Sequence, residues 1–121
     1  MADHAIEGVV TIHVDRFRQW VPQLVDAVAR IGGIDTATLI APGCAGLPVT
    51  LRAAIVLAAH DVLGKGWSDI GRALHRTHGG ASRTYVRAQH RLAGDREFQQ
   101  LMRRVFRIAH AIAGTDPERP L

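Results

Sequence analysis

Apolar residues recur at intervals of three and four along most of this chain, the spacing of a single helical face. The pattern begins after Asp15, where Phe17, Trp20, Val21, Leu24, Val25 and Val28 form a stripe. Pro22 interrupts it. Proline is tolerated in the first turn of a helix, so the spacing predicts a short helix ending near Trp20 and a second one opening at Pro22. Gly32 and Gly33 stop that helix, and Asp35 is placed to cap a short one over residues 36–40. The Gly- and Pro-rich loop APGCAGLP follows. Pro48 or Thr50 then opens a helix that runs to about Leu63, with Leu51, Ala54, Ile55, Ala58 and Val62 as its core stripe. A last helix, capped by Asp95, carries Phe98, Leu101, Met102, Val105, Phe106, Ile108 and Ile112. Trp20 and Trp67 read as core residues. The alternation of Ile6, Val9, Val10 and Ile12 has no partner strand in this reading, so residues 1–14 are expected to form an extended arm. The polar, Pro-rich residues 114–121 are expected to form a frayed tail. The pattern predicts an all-α bundle of five to seven helices in one domain over residues 15–113.

Residues 67–92, WSDIGRALHRTHGGASRTYVRAQHRL, carry the most specific pattern. Ser68 is a suitable N-cap for a helix over residues 69–75, residues 77–80 read as a turn, and a second helix spans residues 81–92. On that second helix Tyr85, Ala88 and Leu92 fall inward. Ser82, Arg83, Val86, Arg87 and His90 fall outward, and Arg83, Arg87 and Arg91 recur every four residues. A helix-turn-helix with a basic second helix is suited to the major groove of duplex DNA. In this reading Arg83, in the first turn of the second helix, reads bases, with guanine the commonest partner of arginine. Ser82 and Thr84 bond base or phosphate, and Arg87, His90 and Arg91 meet phosphates. Arg52, Lys65, Ser68 and Arg72 complete the expected DNA-binding set.

Charge sharpens the picture. From Leu51 to Arg107 there are eleven Lys/Arg against four Asp/Glu, while the rest of the chain is net acidic. Such a concentration of positive charge points to a polyanionic partner. Arginine outnumbers lysine 14 to 1, which suits bidentate recognition. A chain of 121 residues with 47% hydrophobic and 21% charged residues has globular composition. One cysteine, Cys44, excludes an intrachain disulfide and is in keeping with a reducing cytoplasm. The N-terminus MADHAIEG does not resemble a signal peptide, and no apolar run is long enough for a membrane. His75 and His78 are three apart, but a single cysteine and no paired carboxylates argue against a closed zinc site. No nucleophile–base set can be assembled, so no enzyme activity, metal or cofactor is expected.

The segments VARIGGIDTATLI, LRAAIVLAAHDVL and WSDIGRAL align without gaps with the C-terminal DNA-binding domain (domain IV) of the bacterial replication initiator DnaA. The chain resembles that family over roughly residues 22–112. The resemblance implies a DnaA-like helix-turn-helix bundle. It places Arg52 where the family has an arginine contacting DNA, His60 on a lysine of the long helix, and Thr84 on a threonine of the family's Asp-His-Thr-Thr signature. That signature reads Ala81-Ser82-Arg83-Thr84 here. The family's basic, minor-groove loop is the uncharged Pro42-Gly43-Cys44-Ala45-Gly46, and the turn at residues 75–80 is about three residues longer. The chain has no phosphate-binding G-x-x-x-x-G-K-[ST] loop, which excludes ATP-driven initiation by these residues alone. Stand-alone domains similar to this one occur in gene transfer agent activators, which work with RNA polymerase and integration host factor. The expected function is therefore a sequence-specific DNA-binding transcriptional regulator of activator type, acting in the cytoplasm at the nucleoid. It acts as a homodimer or beside a DNA-bending partner, the apolar arm and the Phe17/Trp20 stripe being the surfaces nominated for self-association. The alternatives are a replication-linked factor competing at initiator sites and a basic module binding an acidic protein.

Overall fold

The computed structural model describes residues 3–7, 10–15, 18–43 and 45–115. Among them are strands β1 (Asp3–Glu7) and β2 (Val10–Val14) and six helices. The helices are α1 (Trp20–Gly32), α2 (Thr36–Ile40), α3 (Leu47–Asp61), α4 (Trp67–Leu74), α5 (His78–Gly94) and α6 (Arg96–Ala113). The strands pair antiparallel, from Asp3 opposite Val14 to Glu7 opposite Val10. The partner of residues 10–14 is thus the segment just before it, and the expected extended arm is a hairpin packed on α1 and α6.

α3 is the axis of the domain. Every residue from Leu51 to Ala59 is buried, because helices lie against it on all sides. Leu24 and Val28 from α1, Ile70 and Leu74 from α4, and Phe98, Met102, Val105 and Ile108 from α6 complete the core. The predicted α6 stripe accounts for that packing, with Leu101 and Phe106 half-buried at its edges. Burial of this many large apolar side chains, each contributing about 1.5–3 kcal/mol, is what holds the bundle together.

α1 is continuous through Pro22, which stands third in the helix. A first-turn residue has no intrahelical acceptor for its N–H, so proline costs nothing there. α1 ends at Gly33, whose φ of 70° is the left-handed conformation glycine adopts freely. Buried Gln23 ties the preceding segment to α1. It donates through Nε2 to the carbonyls of Asp15 and Arg18 and accepts from the Asp15 N–H. The α1 residues Val21, Leu24, Val25 and Val28 are buried within the domain, while Trp20 is half-buried at its edge. Phe17 and Cys44 lie outside the described residues, as do residues 116–121 of the tail. No helix among the described residues is long and apolar enough to cross a membrane.

Candidate nucleic-acid interface

α4 and α5 are joined by three residues, His75, Arg76 and Thr77, a length typical of helix-turn-helix units. α4 begins at Trp67 with Gly66 as N-cap, so Ser68 lies inside the first turn rather than capping it. His75 closes α4 in the left-handed conformation, with φ 55°. The Arg76 N–H then donates to the Gly71 carbonyl at 2.7 Å. A Cβ on Gly71 would stand 2.6 Å from the Arg76 carbonyl oxygen and 3.2 Å from that of Thr77. Only glycine lets the turn fold so closely onto α4.

Thr77 caps α5, its Oγ1 accepting from the Gly80 N–H at 2.9 Å. Gly79 and Gly80, read from sequence as turn, therefore belong to the first turn of α5. This places Arg83 in the second turn, not the first. Side chains on a helix lean toward its N-terminus, however, and Arg83 leans over Gly79. A Cβ on Gly79 would lie 3.0 Å from one guanidinium nitrogen of Arg83. The glycine thus leaves room for Arg83 to present its charge at the leading end of α5.

Around α5 the inward side is Ala81 and Ala88, fully buried, with Tyr85 and Leu92 half-buried. Arg83, Val86, Arg87 and His90 are exposed together on the outer side, Val86 by 50%. The face predicted from spacing is therefore present as a surface. Arg72 and Ser68 on α4 are exposed as well, and Arg72 keeps a loose 3.4 Å ion pair with Asp69. His78, at the exposed start of α5, was weighed from the sequence only as a metal ligand and not as part of the DNA-binding set. The Thr-x-x-Gly cap was the signal that could have found it.

Four predicted contacts, Arg52, Arg91, Ser82 and Thr84, are bonded within the domain. Arg52 is buried and donates to the carbonyls of Leu39 at 2.8 Å and Gly43 at 2.6 Å. It holds the end of α2 and the loop behind it, and its guanidinium is not available to a phosphate. Arg91 is half-buried. It pairs with Asp95 at 3.0 Å, donates to Thr50 Oγ1 at 2.8 Å and lies over the Phe98 ring. Ser82 and Thr84 donate their hydroxyls to the carbonyls of Gly79 and Gly80. Each can still accept, but would have to break its helix bond to donate to a phosphate. Lys65 is half-buried with its ammonium 5.1 Å from the Trp20 ring centre.

Arg76 is a second internal clamp. It donates to the carbonyls of Ile40, Ala41, Leu74 and His75 and so locks the turn to the end of α2. The basic surplus is therefore divided. Arg52, Arg76 and Arg91 satisfy backbone and side-chain acceptors within the domain, Arg72, Arg83 and Arg87 are exposed on α4 and α5, and Arg96 and Arg103 are exposed on α6. His60, matched by resemblance to a lysine, stacks on Trp67 at 4.3 Å and meets Tyr85 edge-on at 4.7 Å. Tyr85 donates to Asp61 Oδ1 at 2.7 Å, and that bond to the carboxylate pushes its phenol above the usual tyrosine range. This aromatic group joins α3, α4 and α5 and sets the angle at which α5 is presented. Asp95 is held below the usual carboxylate range by the Phe98 N–H that it caps and by Arg91. Among the described residues no three His, Cys, Asp or Glu side chains come together as a metal site.

Compared with family models, with curated proteins and with solved structures, the chain matches none. The reading of the interface rests on its residues and geometry.

Proposed function

We propose that this protein binds duplex DNA with sequence preference, α5 entering the major groove, and acts as a transcriptional regulator. The observation that carries this reading is the outer face of α5. Two arginines one turn apart, an exposed valine between them and a histidine stand clear of the domain on the second helix of a helix-turn-helix whose turn is fixed by Gly71 and Arg76. Arg83, at the leading end, pairs with guanine edges, and Val86 suits a thymine methyl group. Arg87 and His90, farther along, suit phosphates. The resemblance to DnaA domain IV supports the same use of the scaffold, and its stand-alone relatives support an activator working with RNA polymerase and integration host factor. Two features depart from an initiator's mode of binding. The loop at residues 42–46 has no cation for the minor groove, and Arg52 faces inward. A single motif then reads few base pairs, and specificity requires a second copy or a DNA-bending partner beside it.

A salt titration of duplex binding tests the proposal. Affinity for a mixed-sequence duplex, followed by fluorescence anisotropy, should fall linearly on a log–log plot against salt, with a slope set by the number of phosphates neutralised. Absence of duplex binding at low salt, with tight binding to an acidic protein, would instead favour an interaction module.

A further inference from the structure

A cleft of about 590 Å³ opens between the start of α1 and α4. Its rim brings together basic residues from three parts of the chain: Arg18 before α1, Lys65 before α4, and Arg72 and His75 on α4 and the turn. Trp20 forms an apolar wall, and Asp69 is the one acid in the lining. These basic residues are not adjacent in sequence, so the fold assembles the cluster. Arg18 is held in place by two devices. Buried Gln23 fixes its backbone through the carbonyl of Arg18 itself at 2.7 Å, and Asp26 anchors its guanidinium at 2.5 Å. Lys65 is held over the Trp20 ring. Arg72 keeps only the 3.4 Å contact with Asp69 and is 77% exposed.

We propose that this cleft is a phosphate-ester site, formed by Arg18, Lys65, Arg72 and His75, that grips the backbone of the duplex beside the segment read by α5. The proposal rests on the DNA reading above and extends it from the helix-turn-helix to α1. Two of the four residues, Arg72 and His75, belong to the helix-turn-helix itself. A phosphate seated there is therefore part of the same docking as the α5 face. The first helix of such a motif crosses the DNA backbone, which places this side of α4 near phosphates. Cations in a concave site between apolar walls attract an anion more strongly than the same cations on a convex surface. Backbone contacts of this kind fix register and orientation and leave base preference untouched.

The test uses the full chain and the variants Arg18→Gln/Lys65→Met and Arg72→Gln, with circular dichroism as the check on folding. Methionine keeps the stem that lies on Trp20 and removes the charge. The double variant should bind duplex with a salt slope shallower by about one to two units and an unchanged order of preference among duplexes. Arg72→Gln, at an exposed position, should lower the slope by about one unit without touching the fold. Wild-type binding of duplex with slopes unchanged in both variants would overturn the cleft while leaving the α5 reading intact. If the wild type binds no duplex, the DNA reading fails, and calorimetric titration with adenosine monophosphate and with inorganic phosphate decides the cleft separately. Binding of either that is lost in the double variant identifies a free phosphate group as the occupant. Binding of neither overturns the site.

Discussion

Gly71→Ala separates local helix preference from the packing of the turn. On preference alone the change stabilises α4, since alanine in a helix interior is better than glycine by about 1 kcal/mol. The structure reverses the sign. The new Cβ would meet the Arg76 carbonyl oxygen at 2.6 Å, with the Thr77 carbonyl carbon and oxygen at 3.3 and 3.2 Å. Both obstacles are backbone, so no rotamer change relieves them. The turn itself would have to retreat by about half an ångström to reach tolerable contact, and Arg76 opposes that retreat through its bonds to Ile40 and Ala41. Overpacking of this kind costs about 1–3 kcal/mol, and here it must also overcome the gain in preference. The net expectation is destabilisation by up to about 2 kcal/mol, or up to roughly 8 °C in Tm for a domain of this size. Urea unfolding followed by tryptophan fluorescence measures it, because Trp67 lies at the start of the same helix. Gly94→Ala is the control, since a Cβ there meets nothing within 4 Å. That variant should be neutral or slightly stabilised. If Gly71→Ala were stabilised by the amount preference predicts, the close approach of turn and helix would be refuted, and the fixed presentation of α5 with it.

Arg83→Ala should lower affinity for a preferred duplex by about 1–3 kcal/mol and relax preference at one base position, whereas equal losses on all sequences would make Arg83 a phosphate contact. Arg52→Met should destabilise the domain by about 2–4 kcal/mol in urea unfolding, because the Leu39 and Gly43 carbonyls lose their donor, with base preference unchanged in the folded fraction. A shift in base preference at full stability would contradict the internal role of Arg52. Asp95 is held below the usual carboxylate range when folded, so its contribution to stability is present above the unfolded carboxyl pKa and is lost as pH falls through the lowered folded value. Asp95→Asn should flatten the acid limb of a stability–pH curve, and an unchanged limb would exclude the cap. Tyr85 is the only tyrosine, so ultraviolet titration reports it alone; its midpoint should lie above the ordinary value of about 10 and return toward it in Asp61→Asn.

The sequence predicts the helices best where apolar residues face a single core. The α6 stripe from Phe98 to Ile112 and the short α2 behind its Asp35 cap both occupy the positions that their spacing indicates. Residues that depart from expectation do so for local reasons. Gly79 and Gly80 have poor helix propensity and read as a turn, but the Thr77 cap and the packing of Ala81 carry the helix through them. Pro22 reads as a break because the start of α1 could not be placed ahead of it. Among the described residues β1 and β2 pair with each other, and a short hairpin with one apolar stretch in its second half has little periodicity to declare it. Arg52 was expected on DNA through the resemblance, and nothing local in the sequence reveals the carbonyls of Leu39 and Gly43 that it satisfies. The α5 face was legible because it depends only on spacing within one helix. The cleft was not, because Arg18, Lys65 and Arg72 meet only after α1 has folded onto α4.

Enrichment of a random duplex library by the protein, repeated with Arg83→Ala/Arg87→Ala, tests the central claim most directly. The account predicts that the wild-type protein enriches a short motif containing guanine, that its binding weakens steeply with salt, and that the double variant folds normally but enriches no motif. Enrichment of the same motif by the double variant, or no enrichment by the wild type at any salt concentration, would contradict it.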